Sequence, residues 1–365
     1  MRYERENIQQ MSAYTPGEQP QGAQRVIKLN TNENPYPPIE PVMEAIRSLP
    51  AEALRKYPSP AAMQFRKTAA DVHGVSHEQV IATNGGDELL RLAISVYCEP
   101  HPETKQRRGI GVCEPSYSLY PVLAKAHDTP VTAVPLKADY DIAVDFEEQV
   151  IAAGVGLVLI VNPHAPSGRQ YAVERLQTMA EKLRGHAVLL IDEAYVDFAE
   201  RDCLPLVQAQ TARQLDNVLL LRTMSKGYSL AGLRFGYGIG HAGLIAAMDK
   251  VRDSYNTDAL SQAAATAALA NRPLAAESWK KVIAQRDRMT RELQQRGWQV
   301  FPSQSNFLLA IPGTSSARQI YESLKARDIL VRYFDHEGLR DKLRITIGTP
   351  EQNDAVLKAL DQVTA

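Results

Sequence analysis

Lys226 sits in the run TMSKGYSLAGLRFGYGIG (residues 223–240), with hydroxyls at Thr223 and Ser225 and an arginine, Arg234, eight positions on. An amine next to hydroxyls and a guanidinium can hold an aldehyde covalently and an anion beside it. Other polar groups recur in short motifs: Gly86 and Asp87 in NGGDE, Tyr117 in EPSY, Asn162 in NPHAPSG, Asp192 and Tyr195 in DEAY. Each has a plainer explanation when taken singly. A lysine is usually solvated, a carboxylate after a strand often caps a helix, and a tyrosine is commonly half in a core. What unites them is position, because each follows a short apolar run.

Those runs are QVIATNGG (79–86), GIGVCEP (109–115), PVTAVPL (130–136), VGLVLIVNP (155–163), HAVLLIDEAY (186–195), NVLLL (217–221) and FGYGIG (235–240). Several are continuously apolar, as expected of strands covered by helices on both faces. Helical segments alternate with them, including DELLRLAISVYC (87–98), with acidic residues at its positive end, and AVERLQTMAEKLRG (172–185). The pattern predicts an α/β fold with a large, doubly wound, mostly parallel sheet, in which chemistry gathers at the C-terminal strand ends. From about residue 270 the pattern changes. Trp279, Val282, Ile283, Met289 and Leu293 mark one face of a long helix stopped near Gly297. Strands in 298–312 and 342–348, a helix in 315–329 and a final helix complete a small α+β domain. The expected division is an N-terminal arm at 1–35, a large domain at 36–268 and a small domain at 269–365. The arm is polar and reads as extended.

The polar groups at the strand ends supply the parts of a pyridoxal 5'-phosphate site. Such a site needs a lysine amine for the aldehyde, a carboxylate beside the pyridine nitrogen and donors near the phenolic oxygen. It also needs a phosphate cup of backbone N–H groups at a helix N-terminus, hydroxyls and a cation. Lys226, Asp192, Tyr195 with Asn162, and Gly86 and Asp87 with Thr223, Ser225 and Arg234 meet these needs in turn.

TMSKGYSLAG resembles the lysine signature of class II pyridoxal-phosphate aminotransferases of fold type I. LNTNENPYPP, YPSP, NGGDE, NPHAPSG, DEAYVDF, SNFLL and LRITIG, in order from about 28 to 348, resemble the histidinol-phosphate aminotransferase family. The resemblance implies that Lys226 holds the cofactor aldehyde and moves the proton at the substrate's alpha carbon. It implies that Asp192 pairs with the pyridine nitrogen, Tyr195 and Asn162 meet the phenolic oxygen, and Tyr117 stacks on the ring. Gly86, Asp87, Thr223, Ser225 and Arg234 would hold the phosphate. Tyr57 would reach the cofactor phosphate of the other subunit, which implies a homodimer. Arg332, Arg344, Tyr36 and Asn162 would meet the substrate. The implied reaction is transamination between histidinol phosphate and 2-oxoglutarate, in histidine biosynthesis. Two departures stand out: NPHAPSG where the family has NPNNPTG, and NPYPP where many relatives have NPYGP. The alternatives within the same branch are an aromatic or broad aminotransferase and a threonine-phosphate decarboxylase. A pyridoxal-phosphate-binding sensor would carry a helix-turn-helix module, and only about 28 residues precede the first motif.

Composition sets the remaining bounds. The 365 residues are 44% hydrophobic and 23% charged, as in ordinary globular proteins, and the formal net charge of −1 gives no pull toward nucleic acid or membrane. Three widely spaced cysteines without a CxxC fit a reducing compartment, and the lack of an apolar leader points to the cytoplasm. No metal is expected: the eight histidines are scattered, and His73 and His77 lack a third partner.

Overall fold

The computed structural model describes residues 3–14, 17–20, 26–98, 108–208, 215–313 and 315–363. The arm ends in β1 (Ile27–Lys28). A seven-stranded sheet follows from β2 (Val80–Thr83), β3 (Ile110–Glu114), β4 (Val131–Pro135), β5 (Leu157–Val161), β6 (Val188–Asp192), β7 (Val218–Thr223) and β8 (Gly236–Gly240), in the order β2-β8-β7-β6-β5-β3-β4. The pairs from β7 through β6, β5 and β3 to β4 are parallel, while β8 runs antiparallel to both β7 and β2.

The continuous apolar strands are buried on both faces, as their composition predicts. Val158, Ile160, Leu189, Ile191, Val218 and Leu220 join one core cluster, and Leu157, Leu159, Val161, Leu190, Leu219 and Leu221 join another. The two sets alternate residue by residue, as the pleat requires. The register aligns Val161, Asp192 and Leu221 in one row across the sheet.

A second, antiparallel sheet contains β9 (Gln299–Val300), β10 (Phe307–Ile311), β12 (Arg332–Tyr333) and β13 (Leu343–Thr346), in the order β12-β13-β10-β9. Behind it lie the helices Arg272–Gln295, Ala317–Lys325 and Pro350–Val363. Trp279, Val282, Met289 and Leu293 are buried and Ile283 is partly buried, on the face their spacing predicts.

The arm differs from the extended reading. Glu6–Gln9 forms a short helix, and residues 1–2, 15–16 and 21–25 lie outside the described residues. The local reason is a set of bonds to the end of the helix Leu119–Ala126. Arg5 Nη2 donates to Ala126 O and Asn7 Nδ2 to Lys125 O, each at 2.7 Å. Carbonyls of a last helical turn have no partner within their own helix, so they accept such donors. Further along, β1 pairs in parallel with β11 (Ile329–Leu330), so the arm touches both sheets' surroundings.

Candidate active site

The C-terminal ends of the parallel strands open into a cavity of about 890 Å³, lined on one side by the large sheet and on the other by Arg332, Phe334 and Arg344. From the sheet come Asp192, Tyr195, Thr223, Ser225, Lys226 and Arg234, with Gly86, Asp87 and Tyr117 from the neighbouring turns. Strand alternation selects these residues. Val161, Asp192, Leu221 and Thr223 line the cavity, and Glu193 and Arg222 point to the other face, where Arg222 Nε donates to Glu193 Oε2 at 2.8 Å.

Lys226 is half-buried, and its Nζ donates to Thr31 O at 2.9 Å. Burial first, then the nearby Arg344 guanidinium, pull its amine down to about 8, with Glu33 opposing. Asp192 is deeply buried. Its Oδ2 accepts from the Tyr120 hydroxyl at 2.8 Å, and its Oδ1 from Ala194 N at 3.1 Å. Burial pushes its carboxyl up to about 6 against the lowering effect of those two donors. A buried carboxylate in this state gains from a cation placed opposite it. Tyr195 accepts from Asn32 Nδ2 at 3.0 Å, which leaves its own O–H proton free, and Lys226 Nζ lies 6.0 Å from its ring centre. Tyr117 meets Tyr120 and Tyr14 edge-on, at 5.5 and 6.3 Å between centroids.

The helix Gly85–Tyr97 begins beside Arg234, which approaches Asp87 Oδ2 at 3.5 Å and Ser225 Oγ at 3.5 Å. Gly85 has φ +75°, and a Cβ there would meet Arg234 Nη2 at 2.8 Å. The missing side chain keeps a cradle open between the helix N-terminus and the guanidinium, the arrangement that holds anions.

On the facing sheet, Arg332 and Arg344 are cross-strand partners. Like charges placed opposite each other in a sheet repel. Arg344 Nη2 donates to Asn30 O at 3.0 Å, its Nε is sealed off without a partner, and its guanidinium lies 5.2 Å from Phe307 and 5.4 Å from Phe334. Neither arginine makes an ion pair with a carboxylate among the described residues. The pair therefore calls for an anion from outside.

Three of the expected residues do not line the cavity. Tyr36 lies under Lys281, whose Nζ is 5.2 Å from the ring. Tyr57 is 80% exposed and stacks on Tyr255 at 4.4 Å. Asn162 departs from the expected contacts with cofactor and substrate. Its Oδ1 accepts from Tyr171 N at 2.8 Å, and its Nδ2 faces Tyr171 O and Cys203 Sγ. The reason is alternation: Val161 lines the cavity, so the next residue points through the sheet. Sequence reasoning missed Tyr120, Tyr14, Thr31, Asn32 and Glu33, all of them in the cavity lining, which also includes Ala165 of the departing NPHAPSG motif. Thr31, Asn32 and Glu33 belong to the quoted motif LNTNENPYPP, which was signal enough to include them. Among the described residues no group of three or more His, Cys, Asp or Glu side chains could hold a metal ion.

Residues 24–360 match the sequence profile of the family "aminotransferase class I and II". The chain belongs to this family. This aminotransferase is 43% identical over 358 residues to histidinol-phosphate aminotransferase 1 of Nostoc sp., covering 98% of this chain and 97% of the relative. It is 42% identical to the histidinol-phosphate aminotransferase of Citrifermentans bemidjiense, with 98% of each covered. Among solved structures it resembles the histidinol-phosphate aminotransferase from Sinorhizobium meliloti in complex with pyridoxal-5'-phosphate. That likeness has a TM-score of 0.86 at 27% identity and covers 100% of this chain and 98% of that one.

Proposed function

We propose that this aminotransferase uses pyridoxal 5'-phosphate to move the amino group between glutamate and imidazole-acetol phosphate, making histidinol phosphate for histidine biosynthesis. The observation that carries the reading is the cross-strand pair Arg332 and Arg344, two cations at the cavity with no carboxylate to pair with among the described residues. Glutamate and a phosphate monoester are both anions that such a pair binds in turn, and a guanidinium fork suits either.

The residues fit the cofactor. Asp192 is the buried carboxylate in want of a cation, and the Gly85 turn with Arg234 and Ser225 is a cradle for a phosphate. When bound, the cofactor supplies a protonated ring that draws off charge as the substrate's alpha proton leaves. Above about pH 6 Asp192 is ionised and keeps that ring nitrogen protonated. Lys226, with its amine held near 8, is partly unprotonated at neutral pH, as a group that holds an aldehyde and then takes a proton must be. Arg234, Thr223, Ser225 and the backbone N–H groups of Gly86 and Asp87 would hold the phosphate, Tyr117 would pack on the ring, and Tyr195 would donate toward the phenolic oxygen. Tyr14 from the arm and Phe334 from the facing side add aromatic surface to the cavity lining.

The same reading assigns residues 1–35, 36–268 and 269–365 to arm, large domain and small domain, supported by sheets that draw on separate stretches of chain. It assigns a homodimer, supported by Tyr57, which is exposed and does not line its own cavity. A cytoplasmic place goes with a biosynthetic role and with three free cysteines. No helix of the described residues is long and apolar enough to cross a membrane.

The test is amino transfer by purified protein from histidinol phosphate and, in parallel, from phenylalanine to 2-oxoglutarate. Preference for histidinol phosphate by a hundredfold or more in kcat/KM is expected. Equal rates would replace the reading with a broad aromatic aminotransferase.

A further inference from the structure

The loop after β5 carries one of the chain's two departures from its family, NPHAPSG, and the structure shows what the residues there touch. Asn162 spends its amide beneath the sheet on Tyr171 and Cys203. His164 is buried, with Nε2 2.9 Å from Pro115 O and Nδ1 2.8 Å from Ser167 Oγ, and burial keeps it neutral by pulling it to about 4. Because Pro115 precedes the turn of Tyr117, His164 ties this loop to the wall that bears the tyrosine. Only Ala165 and Pro166, a methyl group and a pyrrolidine ring, reach the cavity.

The cofactor's substitution pattern fixes which of its edges meets this loop. Its pyridine nitrogen and aldehyde carbon lie para, and its phosphate arm and phenolic oxygen flank the aldehyde on opposite sides. With the nitrogen at Asp192 and the aldehyde at Lys226, the phosphate lies toward the end of β7 and the Gly85 turn after β2. In the order β2-β8-β7-β6-β5, the phenolic oxygen then faces the loops after β6 and β5. Those loops offer Tyr195, Ala165 and Pro166.

We propose that the Tyr195 hydroxyl is the only side-chain donor, among the described residues, that serves the phenolic oxygen, with Ala165 an apolar wall and Asn162 a structural pin. The hydroxyl is positioned for this by Asn32, which donates to it and so turns its proton outward, while Asn32 Oδ1 accepts from Thr346 Oγ1 at 3.0 Å. A donor there draws charge from the phenolic oxygen and weakens its hold on the proton of the adjoining nitrogen. Removing the donor moves the pH midpoint of the bound cofactor's visible spectrum up; adding one moves it down.

The inference rests on the cofactor site proposed above, and the experiment separates the two. Borohydride reduction followed by peptide mapping first places the cofactor on Lys226; its absence there overturns the site reading itself. Spectral pH titrations and cofactor dissociation constants are then measured for Tyr195→Phe, Asn162→Ala and Ala165→Asn. Tyr195→Phe should raise the midpoint by about one unit and weaken cofactor binding about tenfold, the worth of one hydrogen bond to a charged group. Ala165→Asn should lower the midpoint or tighten binding severalfold. Asn162→Ala should lower the melting temperature and leave the midpoint in place. A midpoint shift in Asn162→Ala as large as that of Tyr195→Phe would overturn the inference. Should Asn162→Ala fail to fold, an Ala165→Asn protein unchanged in both readouts would overturn it as well.

Discussion

Replacing Arg344 by methionine separates binding from folding, and the structure sets the size of each effect. The side chain's own bond is the one from Nη2 to Asn30 O, and its Nε is sealed without a partner. Methionine keeps the packing against Phe307 and Phe334 and loses that bond. It also relieves the repulsion from Arg332 across the sheet. Those terms oppose each other, at about 1.5–3 kcal/mol for the bond and about 0.2–1 kcal/mol for the repulsion. The melting temperature of the cofactor-free protein should therefore change little, by a few degrees at most. Binding has no such offset. Losing a forked, charge-assisted contact with an anion costs about 3–4 kcal/mol, or roughly 200- to 1000-fold in kcat/KM. Arg344→Lys, which keeps the charge without the fork, should fall between. The assay is steady-state amino transfer with glutamate and with histidinol phosphate, beside thermal melts with and without inorganic phosphate. Phosphate should raise the melting temperature of the parent and not of Arg344→Met. If Arg344→Met keeps kcat/KM for both substrates within about threefold of the parent, the arginine pair is not the anion site.

The carboxyl of Asp192 is pushed up to about 6, so cofactor binding should weaken as pH falls through 6; Asp192→Asn, measured by equilibrium dialysis, should bind weakly with no such dependence. The amine of Lys226 is pulled from 10.5 to about 8. Its buried charge therefore opposes folding below pH 8, and that penalty fades as pH rises from about 8 to 10.5. Cofactor-free protein should thus gain stability over this range in urea melts, and Lys226→Met should not. Gly85→Ala puts a Cβ 2.8 Å from Arg234 Nη2 at φ +75°, at a cost of about 1–2 kcal/mol; cofactor retention on gel filtration should fall about tenfold, with the fold intact by circular dichroism.

The sheet was legible because residues 157–161, 188–191 and 218–221 of β5, β6 and β7 are unbroken apolar runs, and the residues that follow them are polar. Lys226, Asp192, Tyr195, Ser225 and Arg234 stand out on that ground and do meet in one cavity. Asn162 is turned away from that cavity, and the sign of it lay in the sequence. Its neighbour Val161 is in register with Asp192, so a side chain one position on must face the opposite side. Tyr120 was beyond reach for a different reason. Its hydroxyl meets Asp192 from 72 residues away, at the start of the helix Leu119–Ala126, and no local pattern marks that this side chain turns toward the sheet. The arm's helix and its hold on the Leu119–Ala126 helix were equally hidden, because they depend on carbonyls exposed only once that helix exists.

The buried Arg222–Glu193 pair has a consequence for how the chain finds its alignment. Strands β6 and β7 are apolar on both faces, so sliding one residue along would still bury leucine and isoleucine; oiliness alone cannot choose between the settings. A slide of β7 alone would exchange Thr223 with Arg222, leaving an arginine in the cofactor's place and the Glu193 carboxylate stranded beneath the sheet. Breaking a buried pair costs about 3–5 kcal/mol, more than one leucine contributes. The pair thus acts as a detent that sets the sheet one notch at a time, and a single inserted residue in β6 would disable the catalyst without exposing any of its core.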